Sequence, residues 1–136
     1  MRVQARRYAR IALRSAAAIF VLLCSGGDRT HAAGDVAKGE RAFARQCAIC
    51  HNVDRGGPNR FGPNLFGVLH RKAGTVAGFD YSRAFKTTAT WDWNEDLVAG
   101  WIAAPGQMVP GTAMGIFLGV AQIDRDDIVA YLATRQ

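Results

Sequence analysis

The stretch Cys47-Ala48-Ile49-Cys50-His51 constrains this chain more than anything else in it. Its C-x-x-C-H spacing is the attachment signature of c-type haem. Two thiols about one helical turn apart can add to the two vinyl groups on one porphyrin edge. The adjacent histidine then lies under the iron and can supply an imidazole. Covalent attachment holds a haem without a deep pre-formed pocket, which suits a small domain. Three other fates fit less well. A disulfide would use the thiols but not the histidine. A thioredoxin-like pair needs a βαβ pattern around it, and none is present. A zinc site usually needs four ligands, whereas after Cys24 the chain offers Cys47, Cys50 and the histidines His51 and His70.

Cys24 belongs to a different kind of segment. Arg2, Arg6, Arg7, Arg10 and Arg14 crowd the N-terminus without an acid, and an apolar run from Ala16 to Cys24 follows. The run is shorter than the roughly 20 apolar residues of an ordinary transmembrane helix. A basic head, a short apolar middle and the small residues Ala32 and Ala33 read as a secretory signal peptide over 1–32, cut near Ala32 or kept as an anchor. A lipoprotein site at Cys24 is disfavoured by bulky Leu23, and the surroundings of Arg6-Arg7 fit a twin-arginine signal poorly. Residues 33–136 then form one domain, expected in a periplasm.

This division settles what the formal charge of +6 means. Residues 1–32 hold six arginines and one acid, and the remainder carries 11 basic and 10 acidic residues. A domain so close to neutral presents no general basic surface for nucleic acid. The whole chain is 49% hydrophobic and 21% charged. That composition is ordinary for an ordered globular domain.

A haem iron bound by one histidine needs a sixth ligand or keeps an open site. Beyond residue 32 the methionines are Met108 and Met114. Either could simply fill core space. Met114 is preferred because it ends Pro110-Gly111-Thr112-Ala113-Met114, a loop able to turn a thioether toward the iron. It follows His51 at a distance that leaves enough chain to wrap the other haem face.

From Gly34 onward the chain resembles the class I cytochromes c of the mitochondrial and soluble bacterial type. Gly34-Asp35-Val36-Ala37-Lys38-Gly39 resembles the family's opening, and Arg60-Phe61-Gly62-Pro63-Asn64-Leu65 resembles the stretch whose proline carbonyl accepts a hydrogen bond from the ligand histidine. The resemblance implies an all-α cytochrome c fold wrapped round one covalently bound haem c, with crossing terminal helices. It implies Cys47 and Cys50 as attachment points and His51 and Met114 as axial ligands. Pro63 would fix the His51 ring. Arg71 and Tyr81, in a loop with Gly78-Phe79-Asp80, would surround the propionates. Trp93 would hydrogen-bond one of them, with Trp91 as the alternative. Thr112 and Trp101 would complete the surroundings of the ligand methionine; many relatives have a tyrosine where Trp101 stands.

The function implied is that of a single-electron carrier, a monomer and not an enzyme, since no acid–base or nucleophile constellation stands out. Its partners would be redox proteins such as a cytochrome complex, oxidase, reductase or dehydrogenase of a respiratory chain. Any membrane contact would come through those partners or an uncleaved signal. The alternatives are a haem enzyme or gas sensor with a displaceable sixth ligand, and a subunit of a larger respiratory or dehydrogenase complex. Mitochondrial relatives place lysines near the methionine loop; Gly106, Gln107 and Ala113 stand there in this chain, which weakens charge steering.

The local pattern predicts three helices. One runs from Val36 to about Cys47, with Asp35 as its cap. A second follows Asn94 and stops before Pro105. A third begins around Asp124, Asp126 and Asp127 and buries Ile128, Val129, Tyr131 and Leu132. The resemblance implies that Gly39 and Phe43 pack on Ile128 and Tyr131 where the end helices cross. The stretches 56–78 and 105–119 read as loops over the haem, and His70 as an exposed loop residue.

Overall fold

The computed structural model describes residues 34–136, so the expected signal segment lies outside the described residues. Five α-helices occur there: α1 (Val36–Gln46), α2 (Arg83–Thr88), α3 (Glu95–Ala103), α4 (Pro105–Met108) and α5 (Gln122–Ala133). A 3-10 turn spans Ala113–Ile116. Among the described residues there is no strand, only an isolated antiparallel bridge between Lys72 and Asp92. The fold is all-α.

Capping chemistry sets the helix starts. The Asp35 carboxylate accepts from the Lys38 amide, the Asn94 side chain from Leu97 N, and Ser82 Oγ from Phe85 N. Glu95 and Asp96 add negative charge to the first turn of α3. The helix dipole favours it there. Three expectations need correction. α5 begins at Gln122, two residues before Asp124, and Ala121 gives it no side-chain cap. The acids therefore lie within the helix rather than before it. α2 has no counterpart among the expected helices. The stretch 105–119 is not merely loop, because Pro105 occupies the first position of α4. A missing N–H costs no hydrogen bond at that position.

α1 crosses α5 at very close range. A Cβ on Gly39 would lie 1.8 Å from the carbonyl oxygen of Asp127 and 2.9 Å from Tyr131 Cβ. Only glycine permits this approach. Phe43 packs on Tyr131 with ring centroids 5.5 Å apart. Asp35 N also donates to the Asp127 carboxylate at 2.7 Å. Ile128, Val129, Tyr131 and Leu132 are all buried, as the pattern of α5 requires. The crossing forms one wall of the core.

Aromatic rings form the opposite wall. Phe85 sits at their centre, with centroids 5.2 Å from both Tyr81 and Trp101 and 6.4 Å from both Trp91 and Trp93. Between the walls lies a cleft.

Candidate haem site

The cleft spans about 1270 Å³, its open mouth included. Cys47, Cys50 and His51 line it from the end of α1, and Met114 lines it from the 3-10 turn. Pro63, Arg71, Tyr81, Trp93, Trp101 and Thr112 line it as well, so every residue assigned to the site from sequence meets in one place. Met108 is half-buried against the core but is not part of the cleft wall. The fold thus separates two methionines that local sequence leaves close to equivalent.

Local backbone geometry explains the histidine's orientation. Past α1 the chain turns sharply, with Cys50 N and His51 N both donating to Cys47 O at 3.0 and 2.9 Å. The segment 62–65 is then pinned alongside by Gly62 N to Cys50 O at 2.8 Å and Leu65 N to Asn52 O at 2.7 Å. Pro63 O, which can only accept, lies 2.8 Å from His51 Nδ1. The ring is therefore protonated at Nδ1 and keeps the Nε2 lone pair for a metal. Burial pushes the His51 pKa below its usual value, partly opposed by the bond to Pro63. The result is a neutral, oriented imidazole. A Cβ at Gly62 would come within 2.2 Å of His51 Cε1, so glycine is required beside the ring face.

Cys47 and Cys50 are free of a disulfide. Burial, with the neighbouring Cys50, raises the Cys47 thiol to about 12. A thiol so placed stays protonated. On the far wall Trp101 Nε1 donates to Met114 Sδ at 3.0 Å. A thioether sulfur has two lone pairs, so this bond occupies one and leaves the other for a metal. Among the described residues no group of three His, Cys, Asp or Glu side chains could hold a bare ion, so the iron of a porphyrin fits these ligands better than an isolated metal.

The cleft wall also carries cationic and hydrogen-bonding groups. The half-buried Arg71 guanidinium donates to Phe66 O at 2.7 Å and Asn64 O at 3.1 Å. Burial holds its pKa below the usual arginine value, opposed by Tyr81. Tyr81 Oη accepts from Val76 N at 3.3 Å, and burial raises its pKa. Trp93 is buried and faces the cleft. Trp91 Nε1 is buried without a hydrogen-bond partner among the described residues. His70 is exposed, as expected, and carries a left-handed φ of 67°.

Sequence alone does not single out Asn64. It is buried, and its Nδ2 donates to Asp54 O at 2.9 Å and Gly57 O at 2.8 Å while Oδ1 accepts from Phe66 N at 2.7 Å. It braces the loop that carries Pro63. Its place after Gly62-Pro63 is visible in the sequence, but its long-range bonds are not.

An all-α domain whose cleft gathers Cys47, Cys50, His51 and Met114 is suited to hold a covalently tethered haem. The family model described as "Cytochrome c" matches residues 36–136. Proteins named cytochrome c are similar over nearly the same span. The one from Ulva intestinalis is 40% identical over 100 residues, covering 73% of this chain and 88% of its own length. That from Gibberella zeae is 40% identical over 102 residues, covering 74% and 94%. That from Chlamydomonas reinhardtii is 42% identical over 101 residues, covering 74% and 88%. The chain belongs to the cytochrome c family. It is an electron carrier with one covalently attached haem c, for which Cys47, Cys50 and His51 supply the C-x-x-C-H motif.

The expected periplasmic location is corrected by these relatives. They are cytochromes c of eukaryotes, whose cells have no periplasm. The physical reason for the error is that a basic and apolar N-terminal segment does not name a compartment. The export reading rests on residues 1–32, which lie outside both the matched span and the described residues.

Proposed function

We propose that His51 and Met114 ligate the haem iron from opposite faces and that the protein passes single electrons between redox proteins without transforming a substrate. The observation that carries this reading is the placement of Met114 Sδ in the cleft that His51 also lines, held by the indole of Trp101 at 3.0 Å. When bound, the haem supplies a one-electron ferric/ferrous couple.

The chain's own residues orient and shield that couple. Pro63 holds the imidazole by Nδ1. Trp101 fixes which sulfur lone pair faces inward. Arg71, Tyr81 and Trp93 offer charge and hydrogen bonds to the propionates, and Thr112 lines the same wall as the methionine. The apolar lining excludes water, which favours the less charged ferrous form. With His51 and Met114 both serving as ligands, the iron would keep no position for a substrate.

The purified ferric protein is expected to be low-spin with a sulfur-to-iron charge-transfer band. Met114→Ala should keep the haem attached, remove that band, admit cyanide or carbon monoxide, and lower the potential. A high-spin ferric wild type that binds cyanide rapidly would refute the assigned ligation.

A further inference from the structure

The short helix α2 meets both of the parts that hold Met114. Phe85 is its buried residue and lines the cleft. The Phe85 ring stands edge-on to Trp101, with centroids 5.2 Å apart and 74° between the planes, and stacks on Tyr81 at 5.2 Å and 14°. Aromatic pairs favour both arrangements. Trp93 packs on Trp101 as well, 5.8 Å away at 65°. Two rings thus hold the Trp101 indole. Ala84, the residue before Phe85, meets the methionine loop: a Cβ on Gly111 would lie 3.3 Å from Ala84 Cβ.

The bond these contacts support is weak by nature. A thioether sulfur is a poor acceptor, and an indole N–H can only donate. The rings packed on Trp101 offer that N–H no competing acceptor, since phenyl has no polar atom and the indole of Trp93 only donates. Tyr81 uses its oxygen on Val76 N at 3.3 Å. Among the described residues the partner of Trp101 Nε1 is Met114 Sδ, at 3.0 Å. Distance and angle decide the strength of a hydrogen bond, so a weak one lasts only where donor and acceptor are both held. Neighbouring residues of one helix do this: Phe85 holds the donor and Ala84 abuts the loop that carries the acceptor.

We propose that Phe85 is a positioning residue for the sixth ligand, fixing the Trp101 indole against Met114 Sδ so that the thioether is released slowly. The inference rests on ligation by His51 and Met114 and adds the support behind it. Phe85 acts through Trp101: without its ring the indole tilts, the bond to sulfur lengthens, and the thioether is displaced more easily. Core filling is the competing role, and it gives a different pattern. A filler weakens the fold whatever stands at position 101, whereas a positioning residue loses its effect on Met114 once the indole is gone.

Cyanide binding to the ferric, haem-loaded protein reads the release of Met114, because cyanide enters as the thioether leaves. Phe85→Leu should bind cyanide at least about fivefold faster than wild type, the equivalent of one neutral hydrogen bond. In a Trp101→Phe background the same substitution should change the rate by less than about twofold, because residues that act through one another are not additive. The Trp101 Nε1–H resonance should shift in Phe85→Leu. Val129 is buried in α5 and is not part of the cleft wall. Val129→Ala should lower the Tm while its cyanide rate stays within about twofold of wild type, as expected of a distant site.

Equal acceleration in the two backgrounds overturns the proposal, as does no acceleration in Phe85→Leu, or a Val129→Ala chain accelerated as much as Phe85→Leu. Phe85→Met keeps more of the ring's volume and carries the same expectations if Phe85→Leu fails to load haem. In the haem-loaded wild type, nuclear Overhauser contacts should join the Phe85 ring to the Trp101 indole, and their absence also overturns the proposal. The ferric charge-transfer band of wild type reports the ligation separately. A band that is present while Phe85→Leu has no effect removes only the role of Phe85, whereas a missing band removes the ligand assignment itself.

Discussion

Gly62→Ala puts the orientation of His51 to a direct test. The added methyl would lie 2.2 Å from His51 Cε1, 2.6 Å from Nδ1 and 2.7 Å from Nε2. An ordinary carbon contact needs about 3.5–4.0 Å, so ring and methyl must part by about 1 Å or more. The ring has little freedom, since Nδ1 is bonded to Pro63 O at 2.8 Å. The backbone of Gly62 is equally held, by its N–H on Cys50 O at 2.8 Å and its carbonyl under Arg60 N at 3.0 Å. Whichever side yields, at least one hydrogen bond is lost, costing about 0.5–1.5 kcal/mol. Overpacking adds about 1–3 kcal/mol. The expected total is a destabilisation of about 2–4 kcal/mol. Guanidinium unfolding of the haem-loaded variant, followed by the Soret band and by circular dichroism, measures it. The Nδ1 proton resonance of His51 should move at the same time. A variant within about 0.5 kcal/mol of wild type, the range of an ordinary surface substitution, with that resonance unmoved, would refute the requirement for glycine beside the ring.

Gly39→Ala should also destabilise, by about 1–3 kcal/mol. Its Cβ would meet Asp127 O at 1.8 Å. That clash outweighs the gain of about 1 kcal/mol in helix propensity, and thermal melts would show a lowered Tm. Cys47→Ala with Cys50→Ala should abolish covalent haem by mass spectrometry and leave a poorly folded chain, and a colourless variant with native circular dichroism would contradict the cofactor's part in the core. Trp101→Phe removes the donor to Met114 Sδ, a bond worth about 1 kcal/mol, and should lower the potential by tens of millivolts in a redox titration. The Asp35 carboxylate is held below its usual pKa, mainly by the Lys38 amide. Its contribution is present above the unfolded value near 3.8 and is lost as pH falls through the lower folded value. Melting curves of Asp35→Asn should accordingly fall less steeply over that acid range than those of wild type.

Where a structural feature depends on neighbours in sequence, it is legible there. Asp35 and Asn94 read correctly as caps because a cap bonds a residue three positions away. The C-x-x-C-H motif carries its own geometry, and the buried face of α5 is periodic. α2 is hidden because six residues show too little periodicity, and its Ser82 cap resembles any loop serine. Pro105 reads as a stop because proline ends the helix before it, yet it is equally fit to begin one. The start of α5 is displaced toward the acids because Ala121 and Gln122 give no signal. At the site, sequence favours Met114 over Met108 only by its loop; the cleft separates them by tertiary placement. Trp91 and Trp93, two residues apart, divide similarly, with Trp93 on the cleft wall. Asn64 gives no signal because its partners, Asp54, Gly57 and Phe66, are gathered only by the folded loop.

The contact between Asp35 and Asp127 joins residues 92 positions apart. Closing a loop of that length costs about 4 kcal/mol in chain entropy. Contacts between residues so far apart in sequence are the slow ones to find. Winding the intervening chain around a tethered cofactor shortens the search. Loading the haem should thus ease the meeting of the two ends of the domain.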